Sequence, residues 1–264
     1  MMLKLEILNS NGEALASLED EKVVNLVYRA EYNEGDTIKL TTDKKNTYLM
    51  LRLDDAMNEE FVYFTETEMV YNIPFGKGKI SYSPKSFSGN VHVLSVREAT
   101  DFEIKAYKNL ARNCYDQHGE KGLYPHSVAN VETRGEAVFA SRNAINGNVC
   151  NESHGAWPYE SWGINMQDDA EITLDFGRNV KINRMVLVTR ADFPHDNYWK
   201  QVTFTFSDGS ELVYNMEKST KPHEVALENE IVTSKIKLSK LIKDENDPSP
   251  FPALSQWEVY GTEA

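Results

Sequence analysis

The chain has 264 residues, 41% of them hydrophobic and 26% charged, which is the composition of a folded globular protein with room for two domains of ordinary size. Its formal net charge is -13. A balance that acidic speaks against partners recognised through lysine and arginine, namely the phosphate backbone of a nucleic acid and an anionic membrane surface.

Two cysteines, Cys114 and Cys150, allow one disulfide at most, and free thiols in a reducing compartment are the expectation. The N-terminal stretch MMLKLEILNSNGEALAS alternates like a strand and lacks the basic start and long apolar run of a secretion signal. No run of ~20 apolar residues is present, so no membrane-spanning helix is expected and the reading is a cytoplasmic protein.

The first hundred residues predict short strands: LKLEIL, KVVNLVY, DTIKLTT, TYLMLRL, EFVYF, EMVYNI and NVHVLSV. Each is rich in β-branched and aromatic residues, and turn signals such as Asn11-Gly12 and Ser88-Gly89-Asn90 separate them. Ile38 and Leu40, then Leu49, Leu51 and Leu53, alternate with mostly polar neighbours, the period of a half-buried sheet. Residues 1–97 are expected to form an N-terminal β-sandwich. A helix follows near 100–112: Thr100 and Glu103 make a capping box, and Phe102, Ala106 and Leu110 share one face with Tyr107 beside them. Residues 98–129 read as this helix and a packed linker, in which Gly119, Gly122 and Pro125 break the pattern while Tyr115, Leu123 and Tyr124 interrupt its polarity.

The second half again predicts strands: EITLDF, NRMVLVTR, QVTFTF, ELVYNM, SKIKLSKL and QWEVYG. Asp208-Gly209 between QVTFTF and ELVYNM is a hairpin signal. Three segments here occur in a familiar order. SRNAINGN (141–148) resembles the A-x-x-A-x-D-G turn of discoidin-type, or factor V/VIII C-type, domains. EITLDFGRNVKINRMVLVTR (171–190) resembles the strand pair after it, and SQWEVYGTE (255–263) the closing strand. The resemblance covers residues 130–264 and implies an all-β chain whose C-terminal domain is a galactose-binding-like jelly-roll sandwich. Bacterial members of that family are mostly carbohydrate-binding modules similar to family 32. The family's turn often helps to hold a structural calcium, which by position implies Asn146 and Glu258 as ligands, although Asn146 stands where the family has aspartate. No organic cofactor is implied.

In such domains the ligand sits on loops at one end of the sandwich. Two loops here carry the chemistry a sugar needs. HGAWPYESWG (154–163) offers His154, Trp157, Tyr159, Glu160 and Trp162, and RADFPHDNYW (190–199) offers Arg190, Asp192, His195, Asp196, Tyr198 and Trp199. A third, DPSPFP (247–252), precedes the last strand and is expected to join them. A pyranose has an apolar C–H face that lies against a flat ring, and a rim of hydroxyls that carboxylates, imidazoles and guanidinium groups can engage. Fixed rings lose little rotamer entropy, which suits loop sites.

The expected function is non-catalytic binding of a mono- or oligosaccharide by these loops. Each aromatic has a second reading as sandwich core, and Trp257, alternating within the last strand, reads as core outright. Two other functions stay open. A polysaccharide lyase or glycosidase would use Tyr159, Glu160, His195 and Tyr198, or Glu160 paired with Asp192 or Asp196, for acid–base chemistry. A protein-interaction module would instead show a broad apolar patch. The spacing of His126, His154 and His195 matches no local metal motif, and no nucleophile elbow or phosphate loop occurs.

Overall fold

The computed structural model describes residues 1–264. Eight strands fill the first hundred residues: β1 (Met2–Leu8), β2 (Ala14–Glu21), β3 (Val23–Tyr28), β4 (Thr37–Thr42), β5 (Thr47–Arg52), β6 (Glu60–Phe64), β7 (Glu68–Asn72) and β8 (His92–Glu98). They form two antiparallel sheets, ordered β2-β1-β4-β7 and β6-β5-β8-β3. Alternation decides how the sheets meet. Leu3, Leu5, Ile7, Ile38 and Leu40 from one sheet, and Leu49, Leu51, Val62, Phe64, Leu94 and Val96 from the other, are fully buried in a single cluster. Two sheets sharing one apolar interior make a sandwich.

β2 was invisible to the period-two pattern because neither of its faces is buried. It is an edge strand, and Glu19, Asp20 and Glu21 place charge on that edge, which discourages pairing with another chain.

The expected helix near 100–112 is corrected by the structure. Its start is as expected: Glu103 N–H donates to Thr100 Oγ1 and Thr100 N–H donates to Glu103 Oε2. The helix nevertheless covers only Asp101–Lys105, and Phe102 is 83% exposed. The chain turns extended at Ala106 because the next residues are captured by a sheet: β9 (Lys108–Asn109) pairs with the last strand, and Leu110 N–H donates to Val259 O at 2.7 Å. A tertiary ladder overrides a local helical stripe.

The segment after the helix divides between the two cores. Leu110 and Ala111 belong to the second cluster, whereas Cys114, Tyr115 and Leu123 belong to the first. β10 (Leu123–Tyr124) extends the first sandwich by pairing with β6, and β11 (His126–Ala129) pairs with a strand of the second half. Cys114 is buried and Cys150 exposed, and both are free thiols.

A hydrogen-bonded clasp closes this crossing. Asp116 Oδ1 meets His126 Nδ1 at 2.5 Å, and its Oδ2 accepts from Ser127 N–H at 3.0 Å and Ser127 Oγ at 2.7 Å. Burial pulls the His126 imidazole down, but the hydrogen bond and charge of Asp116, with Glu120 and Asp175 behind, outweigh it and hold the group above its ordinary value. A raised folded value means the clasp stabilises fully below the unfolded value of about 6.5, and that contribution is lost as pH rises through the folded one. His126→Gln is therefore expected to flatten the decline of stability above about pH 6.5. Urea midpoints of both proteins from acid to mildly alkaline pH check this; parallel curves would show that the clasp carries no proton linkage.

The second half is one hydrogen-bonded sheet ordered β12-β17-β13-β16-β14-β15, made of β12 (Trp162–Gly163), β13 (Ile172–Thr189), β14 (Trp199–Phe206), β15 (Glu211–Asn215), β16 (His223–Lys243) and β17 (Ala253–Glu263). The predicted EITLDF and NRMVLVTR are the two ends of β13, and SKIKLSKL is the end of a strand of 21 residues. Both long strands serve two layers. Ile172–Asp175 of β13 pairs with β11 and with Leu238–Lys235 of β16, while Val180–Thr189 pairs with β17. The register shifts between Asp175 and Val180, where Gly177 has φ +68° and the Tyr124 ring lies 2.4 Å from where a Cβ would stand. No side chain fits there, and the strand bends. The interior lies between the layers, with Phe204 of β14 and Trp257 of β17 at 6.0 Å ring to ring. The all-β sandwich expectation holds. No helix is long and apolar enough to cross a membrane.

Candidate functional site

The loops before β14 and β17 are anchored by a buried ion pair. Arg190 and Asp196 are 4% and 0% exposed. Arg190 Nε donates to Asp196 Oδ2 at 2.9 Å and Nη2 donates to Oδ1 at 2.6 Å, a bidentate fork. Asp196 Oδ2 also accepts the Asp192 N–H at 3.0 Å, and Oδ1 meets His195 Nδ1 at 2.9 Å. One carboxylate thus fixes the backbone and the imidazole of its own loop. Both charges are consumed by this, so Arg190 and Asp196 position the site.

On that anchor sits a stack of three rings. His154 lies on His195 at 4.1 Å with planes 5° apart, and His195 lies on Phe251 at 5.2 Å with planes 10° apart. His154 Nδ1 meets Asp192 Oδ2 at 2.5 Å. Each imidazole is oriented through Nδ1 by a carboxylate, which leaves both Nε2 atoms and Asp192 Oδ1 uncommitted. The three loops expected to converge do so, and DPSPFP contributes Phe251.

Beside the stack is a cavity of ≈ 140 Å³ lined by His154, His195, Phe251, Phe139, Arg134 and Asn165, among others. Two guanidinium groups lie over the Phe139 ring, Arg134 at 5.4 Å and Arg190 at 5.7 Å from its centroid. The sequence reading missed Phe139, Arg134, Asn165 and Met166. Backbone geometry marks three of the four: Arg134, Asn165 and Met166 have φ of 54°, 49° and 59°, a left-handed conformation that non-glycine residues adopt at a cost. Such conformations cannot be read from a sequence without glycine at the position.

The other expected site residues go elsewhere. Trp162 and Trp199 are fully buried in the sandwich core, ring to ring at 6.4 Å, and are corrected from binding platforms to core. Trp162 Nε1 donates to Val131 O at 2.9 Å, so its polar edge is satisfied inside. Tyr159 and Tyr198 are half-buried and line neither this cavity nor the next. Trp157 and Glu160 line a different cavity, facing the first half of the chain. Glu160 therefore does not share a space with His195, and the paired-carboxylate arrangement considered for glycoside cleavage is not assembled.

Two metal arrangements can be tested on geometry. Ligand atoms of His154, Asp192 and His195 lie within 4.8 Å of one another. Imidazole lone pairs lie in the ring plane, however, and two parallel stacked planes share no point at which an ion could bind both. The implied calcium ligands are engaged separately. Asn146 Oδ1 accepts Asn148 N–H at 2.8 Å, Asn146 Nδ2 donates to Glu160 Oε1 at 2.9 Å, and Glu258 Oε2 accepts the Tyr260 hydroxyl at 3.1 Å. Calcium takes six to eight oxygens. A turn that aims amide N–H groups at a carboxylate does not supply them, and these residues do not fit the ion.

No family model matches the chain, and no curated protein matches it. Solved structures of carbohydrate-binding modules are similar to it. Chitosan-binding module 1 from a Paenibacillus sp. IK-5 chitosanase/glucanase is 18% identical, with 58% of this chain and 99% of that chain covered at a TM-score of 0.41. The family 32 module of C. perfringens NanJ, solved with galactose, is 17% identical over 51% of this chain and 91% of that one, at 0.39. The lectin domain of Lectinolysin, complexed with Lewis B antigen, is 19% identical over 59% and 97%, at 0.42. Likenesses at this level assign no ligand.

Proposed function

We propose that the chain binds a saccharide, without cleaving it, at the loop end of its C-terminal sandwich. The observation that carries this reading is the His154–His195–Phe251 stack: a rigid ring surface standing beside a small polar cavity. With both faces of His195 covered, an outer face of the stack, on Phe251 or His154, is what would lie against the C–H face of a pyranose. The uncommitted Nε2 atoms and Asp192 Oδ1 meet its hydroxyls, as donor or acceptor and as acceptor respectively. The stack is preorganised by the Arg190–Asp196 anchor, so little ordering entropy is lost on binding. The amide–guanidinium side of the cavity, Asn165 and Arg134, offers donors to ring or glycosidic oxygens.

Titration calorimetry against neutral and amino monosaccharides and their short oligomers tests this. Phe251→Ala, a 40%-exposed ring, and His195→Ala are expected to weaken binding at least tenfold, about 1.4 kcal/mol or more, with little change in folding stability. Binding that is unaffected by both variants would move the saccharide away from this site, and silence across the panel would overturn the reading.

A further inference from the structure

A second cavity, of ≈ 260 Å³, lies where the two halves of the chain meet. Asn58, Tyr82 and Ser83 line it from the first half, and Arg142, Trp157 and Glu160 from the second. A buried arginine and a buried glutamate line it, and neither makes a salt bridge; the carboxylate that acts on Arg142 is that of Asp116, which is itself bound to His126 and Ser127.

Arg142 is 7% exposed. Its Nε donates to Asp116 O at 2.9 Å, Nη2 to Cys114 O at 2.8 Å and Nη1 to Asn143 Oδ1 at 3.2 Å, and its guanidinium lies 4.2 Å from the Tyr82 ring centroid. All three acceptors are neutral, and a guanidinium has five N–H groups, so two are left over. Glu160 is 2% exposed; its Oε1 accepts the amides of Asn146 and Asn148 at 2.9 and 3.0 Å, while Oε2 has no partner in the protein. A buried charge without a salt-bridge partner is costly to the fold. Two of them on one cavity are explained if the cavity's occupant answers both.

The rest of the lining gives the occupant's class. Trp157 is 41% exposed, and its backbone N–H donates to Ile80 O at 2.8 Å, which holds the loop against the first half. The loop position is therefore fixed, and the exposed ring is available to a ligand of the cavity. The Asn58 side chain makes no hydrogen bond within the protein, and Ser83 Oγ accepts only the Lys85 N–H at 3.3 Å. A ring face, free amide and hydroxyl groups, a guanidinium and a carboxylate acceptor together describe a polyhydroxylated ring that carries one carboxylate.

We propose that this junction cavity binds a hexuronic acid, with its carboxylate on Arg142, a hydroxyl donating to Glu160 Oε2 and its C–H face on Trp157. An adjoining cavity of ≈ 330 Å³ shares Ser81, Tyr82 and Arg142 with it, so a chain of linked units has room to continue. The net charge of -13 opposes an anion at long range, but that field is screened beyond roughly 8–10 Å in physiological salt, and Arg142 acts at contact. The proposal does not rest on the loop-end site.

The test is titration calorimetry of the full chain with glucuronate, galacturonate and mannuronate, each beside its neutral counterpart glucose, galactose or mannose. Each pair differs only at C6. At least one uronate is expected to bind saturably and at least tenfold more tightly than its counterpart. Trp157→Ala is expected to weaken it tenfold or more, Arg142→Gln to level the pair, and His195→Ala to change nothing. Trp162, Trp199 and Trp257 are 0% exposed, so protection of tryptophan fluorescence from acrylamide on adding the uronate reports on Trp157 and needs no folded Arg142 variant. Silence with all three uronates, equal affinity within each pair, or binding lost in His195→Ala but kept in Trp157→Ala would overturn the proposal; the last would place the uronate at the loop end.

Discussion

Asp196→Ala lowers the stability of the protein by about 3–5 kcal/mol, the cost of leaving one member of a buried ion pair without its partner. The loss is this large because a single carboxylate holds four contacts: the Arg190 fork, the Asp192 N–H and His195 Nδ1. With it gone, the Arg190 guanidinium stays buried at 4% exposure beside no anion. The same change removes the partner of His195 Nδ1, so the saccharide binding proposed for the loop end is expected to be lost as well. Equilibrium urea unfolding reads the first effect and calorimetry the second. The double variant Asp196→Leu with Arg190→Met recovers much of the stability, since two well-packed apolar groups replace the pair at little cost, but it recovers none of the binding. A loss under 1 kcal/mol in Asp196→Ala would show that the pair contributes no more than a surface salt bridge.

The second large effect separates tryptophans that the sequence could not tell apart. Trp199→Ala costs about 3–5 kcal/mol, as truncation of a fully buried indole does. Trp199 packs with Trp162 across the interior, joining β14 to β12. Trp157→Ala, at a half-exposed ring, changes stability by no more than about 0.5 kcal/mol. Urea midpoints of the two variants at unchanged m-value decide between these assignments. Similar losses in both would mean that Trp157 is structural and that the junction cavity has no free ring surface.

Sandwich strands with one buried face were legible, since Leu3, Leu5 and Ile7 or Phe204 and Phe206 announce themselves by alternation. β2 was not, because a strand with no buried face carries no period. The helix near 100–112 was misjudged for the opposite reason: its apolar stripe was real, but Leu110 is buried by a strand partner 149 residues later, at Val259. For the candidate site, composition singled out three loops, and those loops do meet, at His154, His195 and Phe251. What a sequence could not show is direction. HGAWPYESWG sends His154 to the loop end, Trp157 and Glu160 to the junction, and Trp162 into the core, so one aromatic-rich segment serves three environments. Arg142 lay in a segment read only as a turn, and its burial without a salt bridge exists only in three dimensions.

The crossing segment has a practical consequence for dissection of the molecule. Between Lys108 and Ala129 the chain gives a strand pair to β17, Leu110 and Ala111 to one interior, Cys114, Tyr115 and Leu123 to the other, and β11 to β13. No cut inside it yields two intact pieces: a fragment ending before it lacks the residues that seal the first sandwich, and one starting after it lacks an edge of the second. The two halves thus share ownership of one stretch of chain, and a ligand of either proposed site is expected to raise the unfolding midpoint of both together.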